Sequence, residues 1–297
     1  MPTFSFKKID AFATNASSGN PAGLVLVNSL DSISDEQMQR IAKELKGFVS
    51  EVAFVAPIGP GVFKVRYFSS EREVQFCGHA TVGMMYDMAT SDPLVAQHSV
   101  IQLHTNKGIL PVENRVREED AVYIHAPLPV QSEVQIGLEE ICAALHLKKD
   151  QIDEKLPIGL VNAGNQTLCV PMKTVRDVVE LRPDFDAVLK FCQNRRLDVI
   201  TIYSRDVADK ANQLRSRVFA ATFGYLEDPA TGSGNAALGY HLHRIGAWDG
   251  APIRIEQNSE LSNPNIIRLA SVGDKEHGVR VIFGGSSVTR ISGEYHL

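Results

Sequence analysis

Glu51 stands immediately before the apolar run Val52-Ala53-Phe54-Val55 and follows Phe48-Val49-Ser50. A carboxyl group beside such a strand is expected to be partly desolvated. Desolvation disfavours the charged form, raises the pKa and suits the group to moving a proton near neutral pH. The competing reading is a strand-end glutamate in solvent. Asp228 lies in Glu227-Asp228-Pro229-Ala230-Thr231-Gly232-Ser233. Pro229 keeps the residue before it out of helical geometry, so Asp228 either points from its loop into a cleft or sits in an ordinary Asp-Pro turn. Cys77 offers a thiol as nucleophile or base, although a lone buried thiol is the commoner case.

Two Gly-rich motifs lie where a strand or loop turns into a helix. Gly78-His79-Ala80-Thr81-Val82-Gly83 leads into Met84-Met85-Tyr86, and Thr231-Gly232-Ser233-Gly234-Asn235 leads into Ala236-Ala237-Leu238-Gly239-Tyr240. The first turn of a helix leaves backbone N–H groups unpaired and carries a partial positive charge. Glycine lets a ligand approach that backbone, so each motif can cradle a carboxylate or other small anion. The competing reading is plain capping by the His, Thr and Ser side chains. His79 can donate a hydrogen bond to a substrate or merely cap its helix. Neither motif is a phosphate loop: GxxxxGK[ST] is absent, as is GxGxxG joined to a downstream acid in a βαβ unit, so no nucleotide cofactor is expected. His241 and His243 are two apart, the wrong spacing for a helical metal pair. Cys77, Cys142, Cys169 and Cys192 show no CxxC spacing, so no metal is expected.

Stepping from these residues to the elements that must hold them, the chain repeats itself at an offset of about 150 residues. Gly19-Asn20 before Leu24–Val27 matches Gly164-Asn165 before Leu168-Cys169-Val170. Asp35 opens a stretch with Met38, Ile41, Ala42 and Leu45 at helical spacing, as Asp184 does with Phe185, Val188, Leu189 and Cys192. Val52–Val55 matches Val199–Ile202, Arg66-Tyr67-Phe68 matches Arg217-Val218-Phe219, and Cys77–Thr81 matches Thr231–Asn235. In this alignment Glu51 faces Val199, so the carboxylate occurs once, which points to single-base chemistry. Helices are expected from Ala80 to Met88 and from Ala236 to Ile245, their starts facing one cleft. Prolines at Pro127 and Pro129 mark the junction. The halves are expected at 1–126 and 127–297, with the terminal strands free to cross between them. The class is α+β: two pseudo-symmetric halves, each a mixed or antiparallel sheet curled around a central helix, since a doubly wound parallel sheet would need a helix after every strand.

The chain has 297 residues, which suits two domains, and is 44% hydrophobic and 22% charged. Its formal net charge is −5 and it has no Lys/Arg-rich arm, which argues against nucleic acid as a partner. The first ten residues lack a positive region followed by an apolar stretch, so no signal peptide is expected. No apolar run approaches the roughly 18 residues of a membrane span. Scattered cysteines suit a reducing compartment, and the cytoplasm is the expected location.

Gly19-Asn20-Pro21-Ala22-Gly23, Ser50-Glu51-Val52-Ala53-Phe54, Cys77-Gly78-His79-Ala80-Thr81 and Glu227–Ser233, in that order, closely resemble the PhzF family of phenazine-biosynthesis-like isomerases. The resemblance implies the diaminopimelate-epimerase-like fold, with two pseudo-symmetric halves, and no cofactor. It implies that Glu51 is the general acid/base, that His79, Asp228 and Ser233 contact the substrate or assist the proton transfer, and that Asn20, Gly78 and Gly232 help bind a small carboxylate. Family members are commonly homodimers. The namesake isomerises a dihydro-hydroxyanthranilate by moving a proton across a cyclohexadiene. One departure is Phe68-Ser69-Ser70-Glu71-Arg72, which stands where a Phe-Thr-Pro stretch is expected and adds charge. The expected function is a cofactor-independent isomerase of a small carboxylate. The alternatives are a catalytically silent carboxylate-binding protein and, on the same fold, a racemase or epimerase. The last needs a thiol on each half, and Thr231 stands where the second would be. Cys77→Ala is accordingly expected to keep most of the activity, measured as solvent-deuterium incorporation into substrate; loss to background would favour the racemase.

Overall fold

The computed structural model describes residues 2–130, 136–274 and 278–297. The chain forms two compact units, Met1–His125 with Gly284–Leu297, and Ala126–Phe283. Among the described residues no helix is long and apolar enough to cross a membrane.

In the first unit the strand Thr3–Ala11 pairs antiparallel with Asn20–Leu26 and with Ser287–His296. Asn20–Leu26 runs parallel to Glu51–Gly59, and the crossover between them is the helix Asp35–Glu44. Its start is set locally: the Ser34 hydroxyl accepts from the Gln37 N–H and the Gln37 side chain reaches back to the Ser34 N–H. Met38, Ile41 and Ala42 form its buried stripe. Glu51–Gly59 then pairs antiparallel with Val62–Ser69, which runs parallel to Val100–Thr105; Gly108–Arg115 and Ala121–His125 follow as antiparallel neighbours.

Val52 through Ala56 are all buried, because both faces of this strand are covered. Val52, Phe54 and Ala56 share a core with Met38 and Ile41 of the amphipathic helix, and Phe54 meets Phe68 edge to face at 5.6 Å. Strand alternation sends Glu51, with Ala53 and Val55, to the opposite face. That face receives the helix Gly78–Ser91, in which nine of 14 residues are buried. This helix packs on Thr3–Ala11, Asn20–Leu26, Glu51–Gly59, Ala121–His125 and Ser287–His296, so the sheet wraps around it.

The second unit repeats the plan. Gly159–Asn162 pairs antiparallel with Gln166–Pro171, which runs parallel to Val199–Ser204; then come antiparallel Leu214–Phe219, parallel Ile253–Gln257 and antiparallel Asn265–Asp274. The crossover helix is Phe185–Arg195, capped by the Asp184 carboxylate on the Ala187 N–H. The enclosed helix is Gly232–Arg244, with ten of 13 residues buried.

The repeat extends to single contacts. Ala22 stands opposite Glu51 and Thr167 opposite Val199, so the register gives Glu51 and Val199 equivalent places. Arg66 and Arg217 each grip a glutamate bidentately, Glu73 and Glu227 respectively. Each guanidinium also lies over a phenylalanine ring, at 5.1 Å from Phe68 and 5.0 Å from Phe219. The enclosed helices begin at Gly78 and Gly232, earlier than Ala80 and Ala236. Glycine is a poor helix former, so propensity places the start too late; burial of the first turn overrides it.

The first unit depends on one close backbone approach. A Cβ on Gly284 would lie 1.8 Å from the Val122 carbonyl oxygen, which backbone pairing prevents from moving aside. Gly284→Ala is expected to lower unfolding stability by about 3 kcal/mol or more. Gly293→Ala, where nothing lies within 4 Å, should change it by no more than about 0.5 kcal/mol. Urea denaturation of the two variants checks this.

Candidate active site

Glu51 is the first residue of its strand, opposite Ala22 on one side and Ser69 on the other. Two residues of the adjoining helix start close over it. Cys77 is the residue before the first helical turn, with extended backbone (φ −137°, ψ 111°) and no capping bond from its own side chain. The turn is pinned from behind: Thr81 Oγ1 donates to the Cys77 carbonyl at 2.7 Å, and the buried Tyr67 hydroxyl shares a hydrogen bond with Thr81 Oγ1 at 2.6 Å. The fixed turn delivers His79 Nε2 to 3.1 Å from Glu51 Oε2. The Cys77 thiol donates to the same oxygen at 3.6 Å and lies 3.5 Å from His79 Nδ1.

These contacts reverse one expectation. Burial does push the Glu51 carboxyl upward, but the hydrogen bond and positive charge of His79, with the Cys77 hydrogen bond, outweigh it and hold the carboxyl below its ordinary 4.5. Burial opposes the charged form of His79, yet the Cys77 sulfur and the Glu51 carboxylate raise it well above 6.5. Burial, supported by the Glu51 charge and opposed by His79, keeps the Cys77 thiol above 9.0. The cluster thus sets a carboxyl held low beside an imidazole held high, with a thiol that gives up its proton less readily than a free one. The sequence signal for desolvation was correct; the apolar run gave no sign of the cation 28 residues downstream.

In the second unit Thr231 holds the place of Cys77, with φ −122° and ψ 108° and no side-chain cap. Asn235 Nδ2 donates to the Thr231 carbonyl at 2.8 Å, as Thr81 does to Cys77. Asp228 forms a two-residue strand with Glu227, opposite Val218. The buried Gln257 amide braces this stretch: its oxygen accepts from the Thr231 N–H at 3.0 Å and Asn235 Nδ2 at 2.7 Å, and its nitrogen donates to the Asp228 carbonyl at 2.8 Å. Asn265 Nδ2 donates to the Pro229 carbonyl at 2.8 Å. Ser233 Oγ accepts from Asn165 Nδ2 at 3.3 Å.

Of the residues singled out from the sequence, Glu51 and His79 meet directly, at the start of the helix that Gly78 opens. Asn20 is buried at the head of its strand, opposite Ala11. Asp228, Gly232 and Ser233 belong to the second unit. Gly232 owes its residue type to packing: a Cβ there would lie 2.1 Å from the Phe283 ring. Neither Cys77 nor Thr231, the residues that precede the two helices, makes a side-chain cap. Sequence reasoning passed over Asn165, although the repeated Gly-Asn pair marked it. It also passed over Gln257, for which one buried polar residue in a strand is no signal. Glu51, Cys77 and His79 offer donor atoms within 4.8 Å of one another, a metal-capable set that no sequence spacing displays.

A sheet wrapped around an enclosed helix, twice over, is the diaminopimelate-epimerase-like fold. The chain belongs to the phenazine biosynthesis-like protein family, PhzC-PhzF, whose model matches residues 9–293, and it is an isomerase. It is similar to an uncharacterised isomerase of Clostridium acetobutylicum, 28% identical over 99% of this chain and 98% of that one. It is also similar to the trans-2,3-dihydro-3-hydroxyanthranilate isomerase of Pseudomonas fluorescens, 28% identical over 95% of each. Among solved structures it resembles the phenazine biosynthesis protein of the PhzF family from Bacillus anthracis, with TM-score 0.85 and 26% identity over 100% of both chains.

The ion pair has a pH signature. Glu51, held below 4.5, contributes stability that is fully present above 4.5 and lost as pH falls through its lowered value. His79, raised above 6.5, contributes stability that is fully present below 6.5 and lost as pH rises through its raised value. The stability gap between the native protein and Glu51→Gln, from urea denaturation, is expected to be widest between pH 4.5 and 6.5 and to shrink on both sides. A gap that keeps widening to alkaline pH would contradict the pairing.

Proposed function

We propose that the protein moves a proton between two carbons of a small unsaturated carboxylate, with Glu51 as the single acid/base and no cofactor. The observation that carries this reading is the 3.1 Å contact between Glu51 and His79, made in one unit only, with Val199 in the equivalent place of the other. The Glu51 carboxylate takes a proton from one carbon; that C–H bond breaks and its electron pair spreads into the conjugated system. Glu51 then returns the proton to a different carbon on the same face. His79 keeps Glu51 ionised before substrate arrives and afterwards donates its Nε2 proton as a hydrogen bond to the substrate. Within the first unit, Asn20 and the helix start at Gly78 bind its carboxylate.

The Cys77 thiol, protonated near neutral pH, donates a hydrogen bond to Glu51 and holds its orientation. A thiol-pair racemase finds no support, because a threonine hydroxyl is too weak an acid to serve at the Thr231 position. The activity of the Pseudomonas relative, on a dihydro-hydroxyanthranilate, supports a cyclic amino carboxylate as the substrate class.

Glu51→Gln tests the reading. The amide keeps the shape of the site but holds no exchangeable acid near neutral pH, so solvent-deuterium exchange should fall by at least about 10²–10⁴-fold. The dissociation constant for the same carboxylate should change little. An active variant would end the mechanism, and a folded variant that no longer binds would make Glu51 a ligand contact.

A further inference from the structure

We infer that Arg254 and Arg268 form a binding site for one doubly charged oxyanion of the phosphate class. The site lies on the face of the second unit's sheet that is turned away from its enclosed helix. The two residues stand directly opposite each other where Ile253–Gln257 pairs antiparallel with Asn265–Asp274. Register forces them together. The flanking pairs, Ile253 with Leu269 and Ile255 with Ile267, turn to the other face, where Ile255, Ile267 and Leu269 are fully buried. There a Cβ on Gly239 of the enclosed helix would lie 3.1 Å from Leu269. A slip of one residue would expose these apolar side chains and bury arginine in their place. Alternation therefore leaves both arginines on the outer face, each half-buried, with Cβ atoms about 4.5–5.5 Å apart.

Like charges directly opposite in a sheet are destabilising. Among the described residues neither guanidinium meets a carboxylate, and Arg254 Nε is buried with no hydrogen-bond partner. Glu256 lies two residues from Arg254 on the same face, but its carboxylate is engaged elsewhere. It accepts from the Ala208 and Asp209 N–H groups, from Asn212 Nδ2 and from Arg215 Nη1. Arg215, opposite Glu256 and fully buried with it, cancels its charge. Arg254 and Arg268 are left with two positive charges. A dianion balances both, whereas a single carboxylate would leave one unmet. Each guanidinium presents a flat fork of N–H donors that fits two oxygens of a phosphate. The backbone beneath is held: Gln213 N–H donates to the Arg254 carbonyl at 3.0 Å and the Arg254 N–H donates to Gln213 Oε1 at 2.8 Å. No residue of the Glu51 cluster takes part, so the inference is independent of the proposed proton transfer.

Inorganic phosphate is the probe, with chloride at equal ionic strength as the control, because screening alone relieves repulsion between like charges. The thermal unfolding midpoint of the full chain should rise saturably with phosphate and further than with chloride, as binding to the native state requires. Arg254→Met and Arg268→Met should each weaken the dissociation constant read from that titration at least about tenfold. In chloride alone each variant should unfold no lower than the native protein, since one of two opposed charges is gone. If either variant fails to fold, Arg268→Lys keeps the charge, loses the fork and should still bind phosphate more weakly. A native protein that gains no more from phosphate than from chloride would overturn the site, as would a phosphate gain left intact in the variants. Glycerol 3-phosphate separates the sources of the anion. Tighter binding than inorganic phosphate marks a phosphomonoester as the ligand, equal or weaker binding marks the free ion, and both uphold the site.

Discussion

An enclosed helix has to begin somewhere, and in this protein the beginning is what creates the chemistry. The helix Gly78–Ser91 is surrounded by strands, so its first turn lands on the face of the sheet to which Glu51 is sent by strand alternation. The turn is fixed by Thr81 and Tyr67, and His79 is thereby held against a carboxylate that burial alone would leave protonated more readily. The histidine wins that contest. Its charge holds the Glu51 carboxyl low, and Cys77 together with Glu51 holds the imidazole high against the pull of burial. A base poised in this way is available at neutral pH without the raised pKa that desolvation suggests.

The second unit shows how far a scaffold can be conserved while its chemistry is replaced. The order of parallel and antiparallel pairings, the bidentate Arg–Glu grip and the cation over a phenylalanine ring are all present twice. The residues at the helix start are not. Thr231 replaces Cys77, Ser233 replaces His79 and Val199 replaces Glu51, so an acidic and cationic cluster becomes two neutral hydroxyls and an apolar side chain. The brace changes too: Tyr67 and Thr81 do by hydroxyls what Gln257 and Asn235 do by amides.

Much of this was legible before any coordinates. The amphipathic helices announced themselves through Met38, Ile41 and Ala42 and through Val188 and Cys192, because burying one stripe imposes the helical period. The repeat was visible because equivalent strands must present similar residues to an enclosed helix. Glu51 and His79 were recognisable as candidates from the motifs around them. Their mutual contact was not, since it depends on a fold bringing residue 51 against residue 79. The sign of the Glu51 shift was lost for the same reason: burial is readable from apolar neighbours in sequence, whereas a partner cation is not. Gln257 and Asn265 were invisible because a buried amide has no periodic signature. That Gly232 is also fixed by packing was hidden, because the Phe283 ring that a Cβ there would meet lies 51 residues away in sequence.

The account rests on His79 being an imidazolium held by Glu51, and nitrogen NMR of the histidine ring measures that state directly. In ¹⁵N-labelled protein at neutral pH both ring nitrogens of His79 should carry the shifts of the protonated ring, with its signals assigned by loss in a His79→Asn variant. In Glu51→Gln the same signals should move toward those of the neutral ring. A native protein whose His79 shows one protonated and one bare nitrogen at neutral pH would contradict the ion pair.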